Sequence, residues 1–205
     1  MDRREFIKAV GATGLIAFSG GCKFEKTQST KPNIIYIFTD DLGYGDLGCY
    51  GQKVIRTPNI DRLAAEGIKF TQHYAGSTIC APSRCCLMTG RHTGNGRIVG
   101  NSDGSIRQED RTVLEVFKQA GYRTGVIGKW GLGDNDTEGG PLKKGADYFF
   151  GYTDQVHAHN YYPEWLWRND KKVYLGNEVA LASEINPLAG GGMATKKVKY
   201  SHDLF

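Results

Sequence analysis

A chain of 205 residues with 40% hydrophobic and 23% charged side chains has ordinary globular composition and length enough for one core. Its formal net charge of +4 is compatible with anionic substrates, yet the lysines are dispersed apart from Lys196, Lys197 and Lys199, and no basic stripe or nucleic-acid motif argues for a nucleic-acid partner. Five cysteines are an odd set and suggest no disulfide framework.

At the N-terminus, Arg3 and Arg4 precede an apolar, small-residue run from Ala9 to Phe18, which resembles a twin-arginine export signal. That run is far shorter than the roughly 18 residues of a spanning helix, so removal or anchoring is expected in place of a transmembrane domain. Ser19-Gly20-Gly21-Cys22 resembles a bacterial lipobox, with Ser19 where an aliphatic residue is usual. Two readings stay open: lipidation at Cys22, or simple cleavage near Gly21. The expected organisation is an export signal over residues 1–22, a polar linker over 23–31 and the folded domain over 32–205. Its partners then include export machinery, and its destination is periplasmic or a lipoprotein anchored to a bacterial membrane.

Asn33-Ile34-Ile35-Tyr36-Ile37-Phe38 is a short apolar, β-branched run that predicts a buried parallel strand, and it ends abruptly in Thr39-Asp40-Asp41. Ligands of open α/β sheets collect beyond the carboxyl ends of strands, and adjacent carboxylates repel unless a cation sits between them. Asp40 and Asp41 are therefore candidate metal ligands, and hard oxygen donors select calcium or magnesium over zinc or copper. The same pair also fits a solvated turn or a helix cap.

Farther along, Ala75-Gly76-Ser77 predicts a turn, after which Cys80 opens a helix with Pro82 in its first turn. A helix start favours anions through its unpaired amides and macrodipole, and it lowers a thiol pKa. Arg84 and Arg91 add guanidiniums able to fork onto a tetrahedral oxyanion such as sulfate or phosphate. The local expectation is an anion cradle holding a nucleophile. Cys85 and Cys86 read as small buried hydrophobes on the same helix.

Thr112 to Gly121 carries a second helix, with Thr112 as cap, Glu115 closing a capping box and Gly121 as terminator. The Val126-Ile127 strand then delivers Lys129 to a strand end, completing an α/β unit. His157 and His159 lie on one face if their segment is extended. The neighbouring Tyr161, Tyr162, Trp165 and Trp167 can stack on a sugar face or pack into a core. Gly190-Gly191-Gly192 marks a loop, and no internal repeat is present.

Cys80-Ala81-Pro82-Ser83-Arg84 with Leu87 and Thr89-Gly90-Arg91 resembles the signature of the type I, formylglycine-dependent sulfatases. Asp40 to Gly48 resembles that family's first metal-binding block, with Asp46 in a supporting turn, and Gly125 to Gly131 resembles its lysine block. The resemblance covers the chain from about Lys31 to Phe205. It implies an α/β fold with a mainly parallel sheet flanked by helices, as in the alkaline phosphatase superfamily. It implies further that a maturation enzyme converts Cys80 to formylglycine and that Asp40, Asp41 and the modified Cys80 bind Ca2+ or Mg2+. Arg84 and Lys129 are implied to stabilise the transferring sulfate. In the commonest family pattern a histidine stands two residues after the lysine, where this chain has Gly131. His157 or His159 is a candidate for that vacated space, as proton donor to the leaving alcohol or as a contact to its sugar.

The expected activity is hydrolysis of a sulfuric ester, arylsulfatase-like and directed at a sulfated carbohydrate or small molecule. Two alternatives remain: phosphate or phosphonate monoester hydrolysis on the same scaffold, and a non-catalytic, exported glycan-binding copy. Family members continue beyond the blocks matched here, bringing a second Asp/Asn metal pair, a histidine and a lysine. The chain is therefore expected to be an N-terminal part of the catalytic domain and to have little or no activity alone.

Overall fold

The computed structural model describes residues 31–101, 103–179 and 194–205. The expected export signal with Cys22, the expected linker up to residue 30 and the loop expected at Gly190–Gly192 lie outside the described residues. Two compact units divide the chain, residues 1–41 and residues 42–205.

In the first unit, the strand expected over Asn33–Phe38 is not formed, and Ile35 and Ile37 are 87% and 80% exposed. A parallel strand depends on ladder partners and covering helices, and a β-branched composition supplies only the propensity to join them. The run ends at Asp41, whose φ of 53° lies in the left-handed region that few residues other than glycine adopt.

The second unit begins with two short 3-10 turns, Tyr44–Asp46 and Gly48–Tyr50. Asp46 accepts the Gly43 N–H at 2.8 Å, the supporting-turn role expected of it. Helix α1, Pro58–Glu66, starts on a proline, whose missing N–H costs nothing there. Its Asp61 reaches back to accept from Cys49 N and Thr57 Oγ1.

Helix α2, Cys80–Thr89, starts where the sequence predicted and stops at Gly90, whose φ of 64° makes it a left-handed terminator. Helix α3, Val113–Gln119, has the expected reciprocal cap: Thr112 N–H donates to Glu115 Oε2 at 2.7 Å, and Glu115 N–H to Thr112 Oγ1 at 3.3 Å. Gly121 follows in the left-handed region.

Strands β1 (Gly125–Lys129), β2 (Tyr148–Tyr152), β3 (Trp165–Arg168) and β4 (Lys171–Tyr174) form one sheet in that order. Only β1 and β2 are parallel; β2–β3 and β3–β4 are antiparallel, so this sheet is mixed where a mainly parallel one was expected. The hairpin explains the difference, since Asn169 at φ 55° turns the chain straight back between β3 and β4. Helix α4, Gln155–Ala158, follows β2 directly. A small antiparallel pair, β5 (Glu178–Val179) with β6 (Ala194–Lys196), and a 3-10 turn at Ser201–Asp203 complete the unit.

The main core joins Ala81 and Cys85 of α2 to Ile98, Ile106, Leu114, Trp130, Leu132, Ala146 and Phe149. The Trp130 indole N–H is satisfied by the Gly139 carbonyl at 2.8 Å, so the ring is buried without leaving its donor orphaned. Buried Lys144 donates to the carbonyls of Gln108 and Asp110, both at 2.9 Å. A second cluster, Phe150, Tyr152, Ala158, Leu166 and Leu175, fills the other face of the sheet. Among the described residues, no helix is long and apolar enough to cross a membrane.

Candidate active site

Cys80 is half-buried at the first position of α2, with Ala81, Pro82 and Ser83 buried behind it. The amides of this first turn are largely committed. Ala81 N–H donates to Asn101 Oδ1 at 3.0 Å, Pro82 has no N–H, and Ser83 N–H returns to the Ile79 carbonyl. The expected cradle of open backbone amides is thus narrower than a bare helix start implies. Asn101 is a residue that motif reading missed; its nearest signal was an amide side chain just after Gly100.

One turn on, Arg84 projects to the end of β1 and donates through Nη1 to the Lys129 carbonyl at 2.5 Å. Arg84 therefore links the helix that starts at Cys80 to the main chain at the end of β1, within one unit. The ladder continues past β1, with Trp130 N–H donating to the Tyr152 carbonyl and Gly131 N–H to the Thr153 carbonyl. This ties the chain beyond Lys129 to the segment that carries the histidines.

Arg91 does not join that group. Its Nη1 is 2.8 Å from Oδ1 of buried Asp110, which also accepts from Arg107 N, so the guanidinium is engaged in a structural ion pair. The sequence reading placed Arg91 on an oxyanion because Asp110, 19 residues away, offered no local signal.

His157 and His159 part company. Their segment is a turn of helix, capped by Asp154 Oδ1, which accepts the His157 N–H at 2.8 Å, so residues two apart point in different directions. The single-face expectation for an extended segment is corrected accordingly. His159 is exposed, while the His157 ring lies edge-on to Tyr152 at 5.3 Å and tilted against Trp165 at 4.8 Å. Burial pushes the His157 imidazole below its usual pKa, an effect larger than the opposing pull of Asp154. Its Nε2 and the Trp165 Nε1 are buried without hydrogen-bond partners.

These two rings line a cavity of about 580 Å³ with Trp167, Thr153, Val156, Asn135 and three aspartates, Asp134, Asp136 and Asp154. Lys172 Nζ stands 3.8 Å over the Trp165 ring. Tyr161 and Tyr162 go elsewhere, stacking with Tyr200 and His202. The four aromatics proposed from sequence for a sugar face are thus split between a cavity wall and a separate cluster.

Asp40 and Asp41 belong to the first unit. Their oxygens suit a hard cation in donor type, but two carboxylates are fewer than the six to eight oxygens calcium takes. No group of three or more His, Cys, Asp or Glu among the described residues is arranged to hold a metal. The described thiols, Cys49, Cys80, Cys85 and Cys86, are all free; Cys85 is buried as expected, and burial raises the pKa of Cys86.

The sulfatase family profile matches residues 32–199. The chain belongs to the formylglycine-dependent sulfatases, within the alkaline phosphatase superfamily. It is 43% identical to human arylsulfatase D over 145 residues, which are 63% of this chain and 24% of the relative. It is 50% identical to an N-acetylgalactosamine-6-O-sulfatase of Bacteroides thetaiotaomicron over 127 residues, 58% of this chain and 25% of the relative. A protein solved in complex with its substrate D-glucosamine-2-N,6-O-disulfate superposes with a TM-score of 0.60 at 35% identity, covering 70% of this chain and 27% of that one. The sulfatase chain described here spans about a quarter of the length of these relatives.

Against the commonest sulfatase pattern, the glycine two residues after Lys129 has a local cause. Gly131 is buried at φ 71°, and a Cβ added there would fall 1.7 Å from Nε2 of Gln155. The carboxamide of Gln155, from α4, lies where a side chain at residue 131 would begin.

Proposed function

We propose that this sulfatase chain belongs to an exported enzyme that hydrolyses a sulfate ester of a carbohydrate, using formylglycine made from Cys80. The observation that supports the reading is the junction at which Arg84, one turn after Cys80 in α2, is held on the main-chain carbonyl of Lys129 at the end of β1. Converted and hydrated, residue 80 supplies an oxygen nucleophile for sulfur and a second hydroxyl whose deprotonation re-forms the aldehyde and expels sulfate. Asp40 and Asp41 are the carboxylates that would hold Ca2+ or Mg2+, which would supply charge neutralisation.

The chain's own groups do the rest. Arg84 and Lys129 offset the negative charge of the transferring group, with the Arg84 head oriented by its bond to the Lys129 carbonyl. His157, held neutral by burial in the aromatic wall, serves the sugar side as a hydrogen-bonding surface. Proton donation to the leaving alcohol falls more naturally to exposed His159 or to water. Trp165, Trp167 and the polar lining of the cavity offer a stacking face and hydroxyl partners, the usual chemistry of a sugar site. Support for a carbohydrate comes also from the galactosamine and glucosamine sulfates named for two relatives.

The leader over residues 1–22 supports export to the periplasm, with Cys22 as the anchor if lipidated. The deciding experiment is peptide mass spectrometry at residue 80 after expression of the whole protein with the maturation enzyme, paired with sulfate release from a sulfated hexosamine and an aryl sulfate. Aldehyde at residue 80 with sulfate release is expected. A persistent thiol with no release refutes the proposal and favours a glycan-binding role, whereas faster turnover of aryl phosphate redirects it to phosphoryl transfer.

A further inference from the structure

We infer that Gln155 is a positioning residue of this site: it fills the space against Gly131 and holds the Lys129–Gly131 main chain through a neutral amide. The inference rests on the sulfatase reading above. Three independent features of the second unit carry it.

The first is steric. Gly131 is buried in a left-handed conformation, and Nε2 and Cδ of Gln155 stand 1.7 and 2.7 Å from the point a Cβ would take. A side chain at residue 131 would require the Gln155 carboxamide to leave its present position. The second is polar. Gln155 is 6% exposed, and its Nε2 donates to the Gly131 carbonyl at 3.3 Å, while its Oε1 is buried without a partner. A methionine would fill the same space and strand no acceptor, so the amide N–H has a use that outweighs an orphaned oxygen.

The third is connectivity. Gly131 also donates to the Thr153 carbonyl and Trp130 to the Tyr152 carbonyl, and Arg84 donates to the Lys129 carbonyl. Gln155 therefore closes the end of a short main-chain run whose other end receives the Arg84 guanidinium. Shifting the Gly131 peptide shifts the carbonyl on which Arg84 is braced and the Cα from which Lys129 projects. A displacement of about 1 Å in groups that align a reacting centre can cost a factor of 100 in rate. Because the amide has no proton to exchange near neutrality, this place also adds no limb to the pH profile, unlike an imidazole.

The test uses the whole protein with aldehyde confirmed at residue 80. Gln155→Met keeps the volume and removes the N–H; kcat for a sulfated hexosamine is expected to fall about tenfold with KM within about twofold. Gln155→Glu donates to the Gly131 carbonyl only when protonated, so its profile should gain a new limb, with activity lost as pH rises through a carboxyl pKa that burial has raised. Wild-type kcat in both variants, with no new limb, overturns the inference.

A thermal double-mutant cycle reads the contact without activity. Gly131→Ala is strained by its left-handed φ in either background, and should lower the melting temperature further beside Gln155 than beside Gln155→Ala. Additive shifts overturn the inference. If the matured wild-type protein releases no sulfate from hexosamine or aryl sulfate, the sulfatase reading fails and the inference with it; coupling retained in the cycle would then locate the failure in the reading, not in the contact.

Discussion

Arg84 Nη1 donates to the main-chain carbonyl of Lys129 at 2.5 Å, so the helix that begins at Cys80 and the strand that ends at Lys129 are braced on each other. A charge-assisted bond of this kind contributes about 1.5–3 kcal/mol, more than a neutral one. Arg84 thus has two expected roles, holding the junction and offsetting sulfate charge. Arg84→Met should lower stability in chemical denaturation by about 2 kcal/mol and reduce kcat of the matured protein by about 100-fold or more. Arg84→Lys keeps the charge and loses the planar fork, so it should recover part of the rate but little of the stability.

Residues whose partners are close in sequence were legible, and those with distant partners were not. The capping box of Thr112 and Glu115, the helix start at Cys80 and the lysine at the end of β1 follow from local rules of spacing and capping. Asn33–Phe38 has strand composition, yet a strand is a pairing, and composition does not supply the neighbour. Arg91 looked available for an anion because Asp110 is far along the chain. The single-face reading of His157 and His159 assumed an extended segment, whereas Asp154 caps a helical turn there. Gly131 marked a departure from the commonest family pattern, whereas the Gln155 carboxamide against it became visible only in three dimensions.

Asn101 accepts the Ala81 N–H at 3.0 Å and so acts as a cap delivered from outside the helix. Asn101→Ala should cost about 1 kcal/mol in denaturant unfolding, the usual loss on removing a cap acceptor. Asn101→Asp keeps the acceptor and adds a charge that the helix start tolerates, so stability should be retained. That same charge lies beside the residue that must face a sulfate, so KM for a sulfated substrate should rise with little change in kcat. Equal KM for Asn101→Asp and wild type would show that Asn101 caps the helix without bordering the substrate.

Burial lowers the folded-state pKa of His157 below the 6.5 of an exposed imidazole. Between the two pKa values the unfolded chain binds more protons than the folded one, so stability rises with pH across this interval. His157 should therefore destabilise the fold as pH drops from about 6.5 and cease to add to the loss below its folded pKa. His157→Phe keeps a ring between Tyr152 and Trp165 and removes the titration. Melting temperatures from pH 8 to pH 5 should fall less steeply for His157→Phe than for wild type; parallel curves would place the acid sensitivity in other groups.

Trp165 presents one face to Lys172 and borders the cavity whose other walls include Trp167, Asn135 and the three aspartates. An aromatic face in such a wall contributes about 0.5–1.5 kcal/mol beyond area burial, equivalent to roughly three- to tenfold in binding. Trp165→Ala in the matured whole protein should raise KM for a sulfated saccharide by about that factor and leave kcat nearly unchanged, because stacking binds ground and transition states alike. An aryl sulfate, which has no sugar ring to place in the cavity, should show an unchanged KM. The contrast separates a substrate wall from a structural ring. Loss of folding in Trp165→Ala would depress kcat for both substrates, whereas equal KM values with wild-type rates on the saccharide would remove the cavity from the substrate path. Lys172→Met supplies the second arm: it takes the cation off the Trp165 face while leaving the ring, so a saccharide contact on that face should persist or tighten.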